Sequence, residues 1–174
     1  MSESLIQTFS AEEMGAISST PEKKTLIIGI GNPLMSDDGL GRKALEMLAQ
    51  QDLPHGVELL ELGTPGWGLA ATFEGYQKVV IIDAIRMGQN PGAWRRFSPH
   101  EVRFISNDAS LSLHEPGLAE SLELAQALDL LPEEIIIYGV EPANTDFGFD
   151  LSPQMEETIP TLIKNILQDL WKKP

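Results

Sequence analysis

The stretch from Thr25 to Gly41, TLIIGIGNPLMSDDGLG, constrains the fold more than any other part of the chain. It opens on an apolar, β-branched run, Thr25 to Ile28, broken by Gly29 and Gly31. A short apolar run ending in glycines predicts a strand buried on both faces, followed by a tight turn. Two adjacent carboxylates, Asp37 and Asp38, then precede an apolar-periodic segment (Leu40, Ala44, Leu45, Leu48) that predicts a helix to about Gln51. Ser36 or Asp37 is expected to cap it. The turn therefore presents acid at the carboxyl end of the first strand, where open α/β sheets bind their ligands.

The rest of the chain repeats this alternation. Val57 to Leu62 predicts a second strand, Gly63-Thr64-Pro65-Gly66 a turn, and Trp67 to Tyr76 a short helix. Lys78 to Ile85, KVVIIDAI, is the clearest strand, four β-branched residues in a row and then an acid. AWRRF, residues 93–97, alternates apolar and basic as a half-exposed edge strand does, and Ser98 is placed to cap a helical turn through about Phe104. The polar stretch 106–117 reads as an ordered functional loop. Leu118 to Leu130 predicts an amphipathic helix with Leu118, Leu122, Ala125 and Leu128 on one face, and Glu134 to Val140 another buried strand. Ser152-Pro153 start a terminal helix running to about Lys172, bent at Pro160. Strands alternating with helices predict a three-layer α/β/α sandwich. Residues 24–174 are expected to form a single α/β domain, and the Ser-, Glu- and Thr-rich residues 1–23 a mobile extension.

Composition narrows the function. A net charge of −14 argues against nucleic acid or an anionic membrane as partner. The absence of cysteine excludes disulfides, zinc–thiolate sites and cysteine nucleophiles. No apolar run approaches the roughly 18 residues of a membrane span. The N-terminus lacks the basic region and apolar core of a signal peptide. A cytoplasmic protein is expected.

The polar residues at the strand ends then supply the chemistry. Asp38 follows the first strand, and Asp83 sits inside the end of KVVIIDAI. A carboxylate in such a run is costly unless it is paired or bound to a metal. His114 lies in the polar loop. Two carboxylates and an imidazole make a set of three ligands with open positions, suited without thiolates to nickel, zinc or manganese. The topology brings Asp38 and Asp83 to one sheet edge; spacing alone does not bring His114 there. Each residue also has a plainer reading: Asp37 and Asp38 as a capping pair, Asp83 as an acceptor for loop amides, His114 as a solvated side chain. Helical neighbours point about 100° apart, so Asp37 can cap while Asp38 faces the cleft. Glu115 reads as a solvated charge or an outer partner of His114; His55 and His100 receive no role, and Trp67 and Trp94 read as packing or surface residues. A dinucleotide site is the rival for GIGN, with Glu61 as the ribose acid. Leu34 stands where the third glycine belongs, and Asp37 and Asp38 put negative charge where a pyrophosphate needs positive potential.

With GIGNPLMSDDGLG, LGTPG (62–66), IIDAI (81–85), SLHEPGL (112–118), and GVEP with GFDLSP (139–153) assembled in order, the chain resembles the hydrogenase maturation endopeptidases. That family processes the large subunit of nickel–iron hydrogenases. The resemblance covers most of residues 25–170 and says nothing about the N-terminal extension. It implies a twisted, mostly parallel five-stranded sheet of phosphorylase/hydrolase-like type with one antiparallel strand, and it carries the family's metal-binding and catalytic positions onto Asp38, Asp83 and His114. Some members have Glu at the first position, and the shorter Asp38 reaches less far. It further implies an endopeptidase that removes the C-terminal extension of the precursor after nickel insertion, with nickel presented by the substrate and another divalent ion able to occupy the site in isolated protein. Metal-activated hydrolysis is the second mechanism that the ligand set admits. If water attacks, Asp38 or Asp83 could serve as general base. The partner is the large-subunit precursor, the protein is expected to be monomeric, and its acidity favours a basic patch on that partner. The strip Arg95-Arg96 or loop 106–117 could touch it. A non-catalytic nickel-binding chaperone on the same precursor is the alternative; a nucleoside phosphorylase-like enzyme would need a basic phosphate site, which Arg42 and Arg86 alone do not make.

Overall fold

The computed structural model describes residues 24–102 and 117–172. The expectations for the N-terminal extension, for the loop at 106–116, and for His114 and Glu115 within it, fall outside the described residues.

In chain order the elements are β1 (Thr25–Ile30), α1 (Leu40–Leu48), β2 (Val57–Leu62), β3 (Lys78–Ala84), β4 (Trp94–Phe97), α2 (Leu118–Ala127), β5 (Glu134–Val140) and α3 (Pro153–Trp171). Short 3-10 turns, Ser36–Gly39 and Trp67–Phe73, precede α1 and follow β2. The sheet has five strands in the order β2-β1-β3-β5-β4. All neighbours run parallel except β4, which pairs antiparallel with β5 at the edge. From β1 the chain crosses to β2 on one side and then to β3 on the other, so the strand order reverses between β1 and β3. In an open α/β sheet that reversal leaves a crevice at the carboxyl ends of the two strands.

The runs of β-branched residues form the central strands because both faces are covered. Ile27, Val80, Ile82 and Ile136 pack against Leu40, Ala44 and Leu48 of α1 and Met155, Ile159 and Leu162 of α3. Ile28, Ile30, Val79 and Ile81 pack on the opposite face against Leu69 and Phe73 of the second 3-10 turn and Leu118 and Leu122 of α2. Val79 to Ile82 are wholly buried, and each such side chain contributes about 1.5–3 kcal/mol over an exposed one. Three layers result, as the alternation predicts. Among the described residues no helix is long and apolar enough to cross a membrane.

Several local expectations are corrected. Neither Ser36 nor Asp37 caps α1: Met35 precedes the 3-10 turn and Gly39 precedes α1, and neither position has a side-chain cap. The short helix expected over Trp67 to Tyr76 is a 3-10 helix that ends at Phe73, three residues early. Helix α2 stops at Ala127, and Asp129 takes a left-handed backbone with φ 57°. Leu128 therefore falls past the helix and is 56% exposed, not part of the apolar face. The Ser152-Pro153 start of α3 stands as expected, with Ser152 Oγ accepting from the Met155 N–H at 3.3 Å.

Candidate active site

The β1–α1 turn begins at Gly31, whose φ of 122° is open to glycine and strained for other residues. A Cβ there would stand 1.9 Å from the Asp38 carbonyl oxygen, so the turn folds tightly over its own start. The Asn32 N–H donates to Asp38 Oδ2 at 2.7 Å, and the Asp38 N–H donates to the Met35 carbonyl at 3.1 Å. Asp38 is half-buried at the carboxyl end of β1.

Asp83 is the penultimate residue of β3 and pairs in register with Gly139 of β5. The residue is half-buried, and the pKa of its carboxyl is pushed up to about 7, first by burial and then by the negative charge of Asp38, against a backbone hydrogen bond at Ala84. The two acids thus stand close enough at the carboxyl ends of β1 and β3 for the charge of Asp38 to act on Asp83. Such a carboxyl can exchange a proton near neutral pH, and a cation bound between the two would relieve the same repulsion. Among the described residues no group of three acidic or histidine side chains is disposed to hold a metal ion. The expected third ligand, His114, lies outside them. The helix that follows it in sequence is held at the same edge, because Ser121 Oγ of α2 lies 3.1 Å from the Gly66 carbonyl and 2.9 Å from that of Gly117.

Two acids beside the site have structural duties that the sequence reading missed. Asp37 is completely buried. Its Oδ2 accepts from the N–H groups of Ala143 (2.7 Å) and Asn144 (3.2 Å) and from Ser152 Oγ (2.9 Å), and its Oδ1 accepts from the Ser152 N–H (2.7 Å). It fastens the β1–α1 turn to the loop between β5 and α3. Glu141, also buried, accepts from the N–H groups of Met87 (2.6 Å) and Gln89 (3.0 Å) and so fixes the loop after β3. The signal for Glu141 was present: like Asp83, it ends an apolar strand. Arg86 reaches Thr145 Oγ1 at 2.7 Å, and Arg42 pairs with Glu46 at 3.1 Å. Neither adds to a phosphate pocket at the crevice.

This arrangement has known counterparts. The model of the hydrogenase maturation protease family matches residues 43–169. The chain is 36% identical over 151 residues to the hydrogenase expression/formation protein HupD of Thiocapsa roseopersicina, covering 86% of this chain and 68% of that protein. It is similar in structure to the hydrogenase maturating endopeptidase HybD of Escherichia coli, with TM-score 0.75 and 29% identity over 84% of this chain and 91% of that one. The nickel–iron hydrogenase maturation protease HybD of Thermococcus kodakarensis aligns with TM-score 0.69 and 33% identity, covering 84% and 99%. Sequence, sheet order and the crevice at the strand reversal lead to one family, and the chain belongs to it: it is a hydrogenase maturation protease.

Proposed function

We propose that the chain makes a single endoproteolytic cut that removes the C-terminal extension of a nickel–iron hydrogenase large-subunit precursor, and that it does so after nickel has been installed. The observation that carries this reading is the pair Asp38 and Asp83 at the carboxyl edge, where burial and the charge of Asp38 raise the Asp83 carboxyl to about 7. A divalent ion brought by the precursor can displace that proton and draw both carboxylates. The donor set of Asp38, Asp83 and the imidazole of His114 suits nickel, with open positions left for ligands from the precursor. The hold of Ser121 on Gly66 supports a role for His114, since it keeps the start of α2 at this edge. Nickel is here part of the substrate. Asp38 and Asp83 orient it, and a carboxylate oxygen of either that is left free of the metal takes the proton from the water that attacks the scissile carbonyl. In isolated protein another divalent ion can occupy the same donors. The protein acts as a cytoplasmic monomer in this reading.

The test mixes the purified protein with its cognate precursor, with and without nickel loaded, and follows the intact mass of the large subunit. Loss of a short C-terminal peptide from the nickel-loaded form alone is expected. Cleavage of both forms would discard nickel recognition. Normal cleavage by Asp38→Ala or His114→Ala would remove those residues from the reaction.

A further inference from the structure

The loop between β5 and α3 carries two aromatic side chains that neither core takes up. Phe147 and Phe149 are 72% and 71% exposed. Their rings pack edge to face with centroids 5.4 Å apart. Leu34, on the β1–α1 turn, is 47% exposed and lines a depression of ≈ 330 Å³ together with Phe149.

These residues stand on a fixed scaffold. The Ser36 N–H donates to the Gly148 carbonyl and the Gly148 N–H to the Leu34 carbonyl, both at 2.9 Å, so the two loops pair as a short parallel bridge. A Cβ at 148 would stand 2.4 Å from Ser36 Oγ and would force that hydroxyl to move. That hydroxyl donates to the Asp146 carbonyl at 3.1 Å, and buried Asp37 ties the base of the same loop. Rigid, exposed aromatic anchors are what a protein interface uses, since little side-chain or loop freedom remains to be lost on binding. The far wall of the depression carries Arg42 and Lys43, with Glu46 at 3.1 Å and 3.9 Å from them. Within the depression two cations stand against the single carboxylate of Glu46, while Glu61 acts on Arg42 from outside it, so Lys43 is the less compensated of the two on a chain of net charge −14.

We propose that this ridge and depression seat a segment of the hydrogenase precursor that presents a large apolar side chain with a carboxylate beside it. The apolar group packs on Leu34, Phe147 and Phe149, and the carboxylate meets Arg42 and Lys43. The surface is continuous with the active site, because the turn that bears Leu34 also bears Asp38. The inference rests on the endopeptidase reading above. It adds that the precursor is gripped on the α1 side of the crevice, by contacts that play no part in bond cleavage.

The test is single-turnover cleavage of nickel-loaded cognate precursor over a range of enzyme concentrations, giving a half-saturating concentration and a maximal rate. Phe147→Ala/Phe149→Ala is expected to raise the former about tenfold or more and to leave the latter within about twofold. Lys43→Glu is expected to raise it severalfold at low salt, with the difference fading at high salt. Both variants alter exposed side chains and should fold; their circular dichroism checks this. An unchanged half-saturating concentration in the double variant, or a fall in maximal rate alone, overturns the docking surface while wild-type cleavage upholds the endopeptidase. A wild type that sediments as a dimer, dissolved by the double variant with cleavage unchanged, assigns the ridge to a second copy and overturns the proposal as well. Failure of the wild type to cleave a verified precursor overturns the endopeptidase reading and the docking surface with it.

Discussion

Replacing Asp37 by Ala would strand the backbone N–H groups of Ala143, Asn144 and Ser152 beside a buried void, since that carboxylate is their acceptor. Bonds to a charged acceptor contribute about 1.5–3 kcal/mol each and do not add fully. Asp37→Ala should therefore cost about 3 kcal/mol or more, read as a lower urea midpoint. Its neighbour behaves in the opposite way. Asp38 accepts one side-chain bond, from the Asn32 N–H, and is half-buried, so Asp38→Ala should stay within about 1 kcal/mol of wild type and abolish cleavage. Asp83 tests the same crevice through pH. Its carboxyl is raised from an ordinary 3.8 to about 7, so between those values the folded chain holds a proton that the unfolded chain has released. Stability from this group is then greatest at low pH and falls as pH rises through about 7. Asp83→Asn does not titrate, so its Tm advantage over metal-free wild type should grow from pH 4 to pH 8. Three pH units convert to about 4 kcal/mol; residual solvent contact of the carboxyl reduces the expected gain to about 1–3 kcal/mol. A flat difference would show that neither burial nor Asp38 raises this carboxyl. Asp83 stood out in the sequence because an acid at the end of an apolar strand is locally anomalous, and Asp38 only as one of an acid pair in the turn after β1. The duty of Asp37 was not, because its partners lie 106 to 115 residues away.

The strands were legible for a related reason: Val79 to Ile82 and Ile135 to Ile137 are runs that only a two-sided core accommodates, and no tertiary contact competes with that preference. Helix ends were less so. A cap is a bargain among local donors, and here Asp37 forgoes it for partners on the far side of the turn. The approach of α1 to β1 was invisible for the same reason. A Cβ on Gly41 would stand 2.3 Å from the Ile30 carbonyl oxygen, and one on Gly29 2.4 Å from that of Gly41. Ala is favoured over Gly in a helix by about 1 kcal/mol, yet Gly41→Ala should lower stability by about 2 kcal/mol or more, because backbone on backbone cannot yield as a flexible side chain can. Chemical denaturation measures the sign. A stabilised Gly41→Ala would mean that α1 can lift from the sheet, in which case the turn holding Asp38 is not fixed by this contact.

On the scale of the whole molecule the two ends of the sheet do different work. The carboxyl edge carries the crevice, with an acid kept partly protonated. The amino edge carries an ion-pair cluster built on Asp169, which is 6% exposed. Asp169 Oδ2 accepts from Tyr138 Oη at 2.7 Å and Arg96 Nε at 2.8 Å, Oδ1 from Lys172 Nζ at 2.9 Å, and its carbonyl from Lys78 Nζ at 2.9 Å. Arg96 of the edge strand thus serves the fold, which leaves only half of the Arg95-Arg96 strip available to a partner. The cluster joins β3, β4, β5 and α3 at a distance from Asp83, so its loss should separate stability from catalysis. Burial raises the Asp169 carboxyl, but the bonds from Tyr138, Lys172 and Arg96 outweigh it and hold the group at about 2. Its contribution is therefore complete above about pH 4 and is lost as pH falls through 2, opposite in sign to that of Asp83. Asp169→Asn should cost about 2–4 kcal/mol at pH 7, less than breaking a fully enclosed pair because Arg96 and Lys172 keep their solvent. The gap to wild type should close in acid, and precursor cleavage at 25 °C should run at the wild-type rate. A variant as stable as wild type at pH 7 would make the cluster a solvated surface feature. A folded variant that cleaves slowly would show that the two edges are coupled through β3.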